Sequence, residues 1–179
     1  MKHEDLTEKI GFKTIEELYD LAFKDGLTNV YNRNMLREVR NDFDCKELFI
    51  TIVNIDNLKT INDNNGHLFG NTVLVELATK LQEKSDMTFR LGGDEFLLIN
   101  RSFEPIFLRD ICGVSHGTVY KSPKKSLADA MREADSIMYS KKMLNKKILE
   151  LEDKIKKDTY HLTAHKENFS KVWDGLNII

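Results

Sequence analysis

Two short segments hold the residues best suited to phosphoryl chemistry. Asn54-Ile55-Asp56 closes the apolar run that begins at Leu48, and Gly92-Gly93-Asp94-Glu95 separates two further apolar runs. Period-two alternation puts positions 54 and 56 on one face of a strand, and adjacent glycines let a backbone approach phosphate with no side chain in the way. Hard oxygen donors of this kind suit Mg²⁺ (or Mn²⁺), which keeps several waters and takes one or two carboxylates together with substrate phosphates. The pattern predicts a metal-assisted phosphoryl-transfer site on the palm of two neighbouring strands. The same turn also reads as an ordinary hairpin with solvated acids, and the turn alone does not separate the two readings.

The elements that must position these residues follow from periodicity. Ile15, Leu18, Leu21 and Ala22 recur at helical spacing after Thr14, which predicts a short capped helix ending near Asp25-Gly26. A second helix is expected from about Asn32 to Asn41, then a buried strand from Leu48 to Asp56. Gly66 and Gly70 punctuate the next segment, after which Val73, Leu74, Leu77, Ala78 and Leu81 mark one helix face. Phe89-Arg90-Leu91 and Phe96 to Ile99 form a hairpin across the Gly-Gly-Asp-Glu turn, a strand follows from Val114 to Tyr120, and Ser126 caps a last helix. The economical architecture is α+β, an α/β sandwich of ferredoxin-like palm type: a mixed antiparallel sheet with helices on one face.

Composition narrows the function classes. The chain has 179 residues, 41% hydrophobic and 31% charged, enough for one sizeable core with appendages. A net charge of -2 provides no general attraction to nucleic acid, so attraction to phosphate must be local. The stretch from Lys121 to Lys157 supplies such a patch, with 11 Lys and Arg against 6 Asp and Glu, a surplus of +5, although runs like this are commonly solvated helix faces. Two cysteines, Cys45 and Cys112, fit a reducing compartment better than a disulfide framework. No apolar stretch approaches the roughly 18 residues of a membrane span, and the charged start lacks a signal-like run. A cytoplasmic protein without nucleic-acid or membrane partners is expected.

Several blocks in order resemble the GGDEF domains of diguanylate cyclases. Gly92-Gly93-Asp94-Glu95-Phe96 is that signature intact, with Arg90 before it. Asp25-Gly26-Leu27-Thr28-Asn29-Val30-Tyr31-Asn32-Arg33 resembles the family's opening motif, and Asn54 through His67 its nucleotide-binding block. Ala134-Asp135, Met138-Tyr139 and Lys142 resemble its closing helix. The resemblance implies a synthase that joins two nucleoside triphosphates into a cyclic dinucleotide across two facing protomers of a homodimer, releasing pyrophosphate. It implies catalytic roles for Asp94, Glu95 and Lys59, with metal contacts from Asn54, the Ile55 carbonyl, Asp56 and Asp94. Substrate would be held by Asn62 and His67 at the base and by Lys142 and Lys146 at the phosphates. A fold-level likeness to minimal CRISPR polymerase palms is an analogy only.

The sequence departs from the family pattern at four places. Asn54 stands where the family has its main metal-binding aspartate, so Asp56 or Glu95 must supply the missing charge, or else the domain is a catalytically silent module that binds a nucleotide or partner. Asn71 stands where guanine-specific members have an aspartate. An amide can donate to adenine N1 and accept from its N6 amino group, which makes ATP a substrate alongside GTP. Only Asn100 to Ile111 separates the hairpin from the next strand, too little for the family's inserted helix. The product-inhibition motif reads Glu83-Lys84-Ser85-Asp86 without its arginine, which predicts no feedback through that site.

The expected organisation is a helical segment at 1–24, a palm at 25–146 and a helical tail at 147–179. Along the tail Leu144, Ile148, Leu151, Ile155, Leu162, Phe169, Val172 and Leu176 follow alternating steps of four and three, broken at Asp158 and His165. Periodicity leaves a homodimer seam and a helix docked on its own domain equally open.

Overall fold

A four-stranded sheet of order β2-β3-β1-β4 organises the fold. Its strands are β1 (Leu48–Ile55), β2 (Met87–Gly92), β3 (Glu95–Asn100) and β4 (Val114–Lys121). Every neighbouring pair is antiparallel. The computed structural model describes residues 14–101, 108 and 113–176, with side chains through 157. The chain divides into two compact units, Met1–Lys141 and Lys142–Ile179.

The central strand explains the layering. β1 is bonded on both edges, and all its residues but Phe49 are buried, which is why it reads as an unbroken apolar run. Leu48, Ile50 and Ile52 pack with Phe43 of α2 (Arg33–Asp44) and with Leu127, Ala130, Ala134 and Met138 of the last helix, α5 (Leu127–Leu176). Val53 and Ile55 face the other way, onto Leu74, Leu77, Ala78 and Leu81 of α4 (His67–Glu83). Helices therefore cover both faces rather than one, because a strand apolar on both sides must be covered on both. Full burial of each such Ile, Leu or Phe contributes roughly 1.5–3 kcal/mol.

The connections follow from local chemistry. Thr14 and Glu17 form the reciprocal capping box that starts α1 (Ile15–Phe23). Asn32 then serves two helices: its Oδ1 accepts from the amides of Asn34 and Met35 at the start of α2, and its Nδ2 donates to the carbonyls of Ala22 and Lys24 at the end of α1. Between β1 and α4 lies a helix absent from the sequence reading, α3 (Leu58–Asn65). Gly66, at a left-handed φ of 84°, separates α3 from α4. Gly70 is no punctuation but a buried position within α4.

Two close contacts fix the edge strand. A Cβ on Gly117 of β4 would stand 2.6 Å from the Met138 amide nitrogen and closer still to the Ala134 carbonyl oxygen. Lys121, fully buried, donates from Nζ to the carbonyls of Asp44 (2.8 Å), Lys46 (3.1 Å) and Ser122 (3.3 Å). Burial holds its pKa below the usual lysine value, against the opposing effect of Asp44 and Cys45.

Ser126 accepts from the Asp129 amide at the start of α5, as its sequence position predicts, and Asp44 accepts from the Leu127 amide. The second unit consists of the remainder of α5, through Leu176. Among the described residues no helix is long and apolar enough to cross a membrane.

Candidate active site at the hairpin turn

The hairpin and the end of β1 form one site because β3 pairs with β1. Glu95 is the cross-strand partner of Asn54, and the Asp94 carbonyl accepts from the Ile55 amide at 3.0 Å. On the opposite edge Ser115 of β4 is the other partner of Asn54. Asn54 is 9% exposed between these two strands. β1 ends at Ile55, one residue earlier than the sequence pattern predicts, although the Asp56 amide still bonds to the carbonyl of Gly113, which lies at φ 76°. The Asp56 carboxylate accepts from the Ser115 hydroxyl at 2.8 Å.

Arg90 anchors the turn. Its guanidinium donates to Asp25 Oδ1 at 2.9 Å and to the Gly93 carbonyl at 2.7 Å, and its amide donates to the Tyr31 carbonyl. Asp25 Oδ1 also accepts from the Thr28 amide and hydroxyl. Burial pushes the Asp25 carboxyl up, but the Thr28 and Arg90 hydrogen bonds outweigh it, and the pKa lies below the usual carboxylate value. A cavity of about 400 Å³ lined by Asp25, Arg33, Arg90, Gly92 and Gly93 opens beside the turn.

Negative charge accumulates where the turn enters β3. The half-buried Glu95 has its pKa raised, first by burial, then by the charge of Asp135 on α5, with Asp94 adding to it and Arg33 opposing it. A crowd of carboxylates short of counter-charge suits a cation. The oxygen donors at hand, the Asn54 amide, the Asp56, Asp94 and Glu95 carboxylates and the Ile55 carbonyl, have the hardness that Mg²⁺ or Mn²⁺ requires. Among the described residues no group of three or more His, Cys, Asp and Glu is placed to hold a metal ion.

The other predicted residues separate into three groups. Lys59 is exposed on α3, one turn ahead of the half-buried Asn62. Asn62 packs against Gly70 of α4, where a Cβ would collide with its Oδ1. That oxygen is buried without a hydrogen-bond partner. His67 and Asn71 are exposed in the first turns of α4, Asn71 directly following Gly70. Lys142 and Lys146 lie on α5 within the second unit, where Lys146 Nζ is 4.0 Å from Glu150. Four residues of the first unit that the sequence reading gave no role enter the geometry: Asp25, Arg33, Ser115 and Asp135. For Asp25 and Arg33 the signal was present in the opening block. Ser115 and Asp135 reach the site only through sheet pairing and helix packing. The short connection after the hairpin lies largely outside the described residues.

An antiparallel sheet between two helical layers, with an acidic glycine turn set against the end of its central strand, is a palm-type fold. Residues 22–106 match the family model described as diguanylate cyclase, GGDEF domain. The probable diguanylate cyclase DgcC of Escherichia coli is 40% identical over 88 residues, 44% of this chain and 24% of that protein. Diguanylate cyclase TpbB of Pseudomonas aeruginosa is 34% identical over 128 residues, 66% of this chain and 25% of that protein. The chain thus spans about a quarter of the length of these curated relatives. Among solved structures, a microbial GGDEF domain described in a novel interaction mode with bis-(3′,5′)-cyclic di-GMP superimposes with a TM-score of 0.58. It is 26% identical, over 70% of this chain and 94% of that one. The coiled coil and GGDEF domain of DgcB from Caulobacter crescentus shares the fold, with a TM-score of 0.61 and 23% identity over 78% of this chain and 88% of that one. The segment from residue 22 to 106, which carries three of the four strands, resembles GGDEF domains in sequence and in fold.

Proposed function

We propose that the chain is a cyclic-dinucleotide synthase of the diguanylate cyclase type, condensing two purine nucleoside triphosphates, GTP, ATP or both, with release of pyrophosphate. The observation that carries this reading is the pairing of Glu95 with Asn54, which joins the glycine turn and the Asn-Ile-Asp segment into one oxygen-rich site. The match of residues 22–106 to the diguanylate cyclase, GGDEF domain family model supports the reaction class.

Asn54, the Ile55 carbonyl, Asp56 and Asp94 would hold Mg²⁺ or Mn²⁺, with Glu95 beside them. When bound, the cation neutralises phosphate charge. The 3′-hydroxyl of one nucleotide attacks the α-phosphorus of the other: a P–O bond forms, the bond to pyrophosphate breaks, and the hydroxyl proton passes to the Asp94 carboxylate. Lys59 offsets the charge on the phosphates, the role that the resemblance also implies for Lys142 and Lys146. Asn62 and His67 meet the base, and Asn71 reads its edge. The reaction joins two nucleotides, so two copies must meet face to face. Feedback through the segment Glu83-Lys84-Ser85-Asp86 is absent in this reading, because Asp86 Oδ2 already accepts from the Arg101 amide at 2.7 Å and no arginine stands at position 83.

A second reading, a silent module that binds a nucleotide without turning it over, is favoured by one observation: the buried residue between β3 and β4 is an amide, not a carboxylate. Incubation of the purified chain with GTP, ATP and their mixture, with Mg²⁺ or Mn²⁺, followed by mass spectrometry, decides between them. A cyclic dinucleotide that vanishes in Asp94→Ala establishes the synthase. Triphosphate binding without product establishes the silent module.

A further inference from the structure

A second cavity, of about 410 Å³, opens between α2 and the start of α5 and shares no lining residue with the cavity beside the glycine turn. Its apolar lining comes chiefly from Leu36, Leu127 and Met131. Leu127 belongs to the core and the other two pack against it, so the apolar floor is continuous with the interior. The two walls are tied together: Asp44 Oδ1 accepts from the Leu127 amide at 2.7 Å, and the buried Lys121 ammonium donates to the Asp44 carbonyl at 2.8 Å. The cavity is therefore formed in advance, which spares a ligand the cost of ordering its own site.

The charge at the cavity selects what fits it. Arg37 and Arg40, three residues apart and so on one face of α2, both line it and both are exposed. Among the described residues neither forms an ion pair. Arg37 donates only to the neutral Asn34 Oδ1, at 3.3 Å. Asp44 is the one acid in the lining, and its carboxylate is engaged by the Leu127 amide. Two arginines against one aspartate leave a single positive charge uncompensated. That balance suits a monoanion better than a phosphate monoester, whose charge is about −1.5 to −2. A guanidinium meets a carboxylate through two parallel N–H donors.

The apolar surface stops at the cavity. Among the described residues no large apolar side chain of α2 or of the first turn of α5 is exposed, so nothing beside the cavity would seat the further residues of a peptide. We propose that this cavity binds a small amphipathic monocarboxylate, its ring or short apolar chain on Leu36, Leu127 and Met131 and its carboxylate on Arg37 and Arg40. A thioether such as that of Met131 makes favourable contact with an aromatic ring. The proposal does not depend on the synthase reading.

The test uses the full chain with isotope-labelled methionine methyl groups, and hydrocinnamate, a phenyl ring on a short carboxylate arm, as the probe. Titration should move the Met131 methyl resonance, assigned by its loss in Met131→Leu, with a dissociation constant of about 1 mM or tighter. Arg40→Gln should weaken binding about tenfold or more, the worth of one charge-assisted hydrogen bond. Its melting temperature should stay that of the parent, since the Arg40 side chain is exposed. The neutral amide hydrocinnamide should bind more weakly than the acid by a similar factor. A Met131 resonance unmoved by hydrocinnamate at about ten times that concentration overturns the proposal. Equal affinity for acid and amide overturns it too, as does an affinity unchanged when Arg37→Gln and Arg40→Gln are combined. A peptide ending in phenylalanine that moves Met131 where hydrocinnamate does not would assign the cavity to the C-terminus of a partner and overturn it as well.

Discussion

The side-chain carbonyl of Asn62 occupies the space where residue 70 would carry a Cβ, so α3 and α4 approach each other through a glycine. Gly70→Ala should gain up to about 1 kcal/mol in helix propensity and lose some of it in displacing the Asn62 amide. The melting temperature should move little. Triphosphate affinity, by contrast, should fall about five- to tenfold, the value of one hydrogen bond to a base. Calorimetric titration with GTP and ATP measures this, and an unaltered affinity would remove Asn62 from the base site.

Restoring charge at position 54 tests the departure at the heart of the site. Asn54→Asp places a carboxylate beside Glu95 on the paired strand. Without metal the variant should be less stable than the parent, since two acids then share a buried position. With Mn²⁺ and a triphosphate it should bind the cation about tenfold more tightly, a gain of about 1.4 kcal/mol. Equal Mn²⁺ affinity by paramagnetic resonance would mean that residue 54 does not face the cation.

Glu95 makes a pH-dependent statement of definite sign. Its pKa in the fold is raised above 4.5, by burial first and then by Asp135. The native state therefore holds this proton more tightly than the unfolded chain, and stability attributable to Glu95 declines as pH rises from 4.5 through the raised value. Glu95→Gln removes that decline. In metal-free buffer its melting temperature should exceed that of the parent at neutral pH, and the gap should close on acidification. A gap that widens on acidification would contradict the assignment.

Asp25 behaves in the opposite sense. Burial opposes its ionisation, but hydrogen bonds from Thr28 and Arg90 leave its pKa below 3.8. Its contribution is present above the unfolded value and is lost as pH falls through the folded one. Arg90→Ala removes the bonds to both Asp25 and Gly93 and should destabilise the domain by about 1–3 kcal/mol. Asp25→Asn should flatten the acid limb of a urea-midpoint series below about pH 4, and an identical limb would show that the pair carries no acid sensitivity.

How far the sequence reveals this structure depends on the range of each interaction. β1, the hairpin and the start of α5 are legible because their signals are local: an apolar run, a glycine turn, Ser126 before a helical period. α3 is illegible because Leu58–Asn65 is mostly polar and buries none of its residues. The double helical layer is implied by β1, whose alternate residues are apolar on both sides, yet only the pairing of its neighbours shows what covers each face. At the site, the Asn-Ile-Asp and Gly-Gly-Asp-Glu segments announce their chemistry by residue type. Ser115 and Asp135 do not, since a serine and an aspartate acquire meaning there only from the residues brought opposite them. Lys121 shows the same limit most sharply. A lysine in a basic stretch reads as solvated, and its burial follows only from three carbonyls that converge on it.

The contact at Gly117 has a mechanical consequence. With no side chain between them, the backbone of β4 lies directly against the turn of α5 from Ala134 to Met138, so that turn can neither slide along its axis nor roll about it without striking the sheet. Within the first unit, therefore, the spacing between β4 and this turn of α5 is set by backbone rather than by side chains.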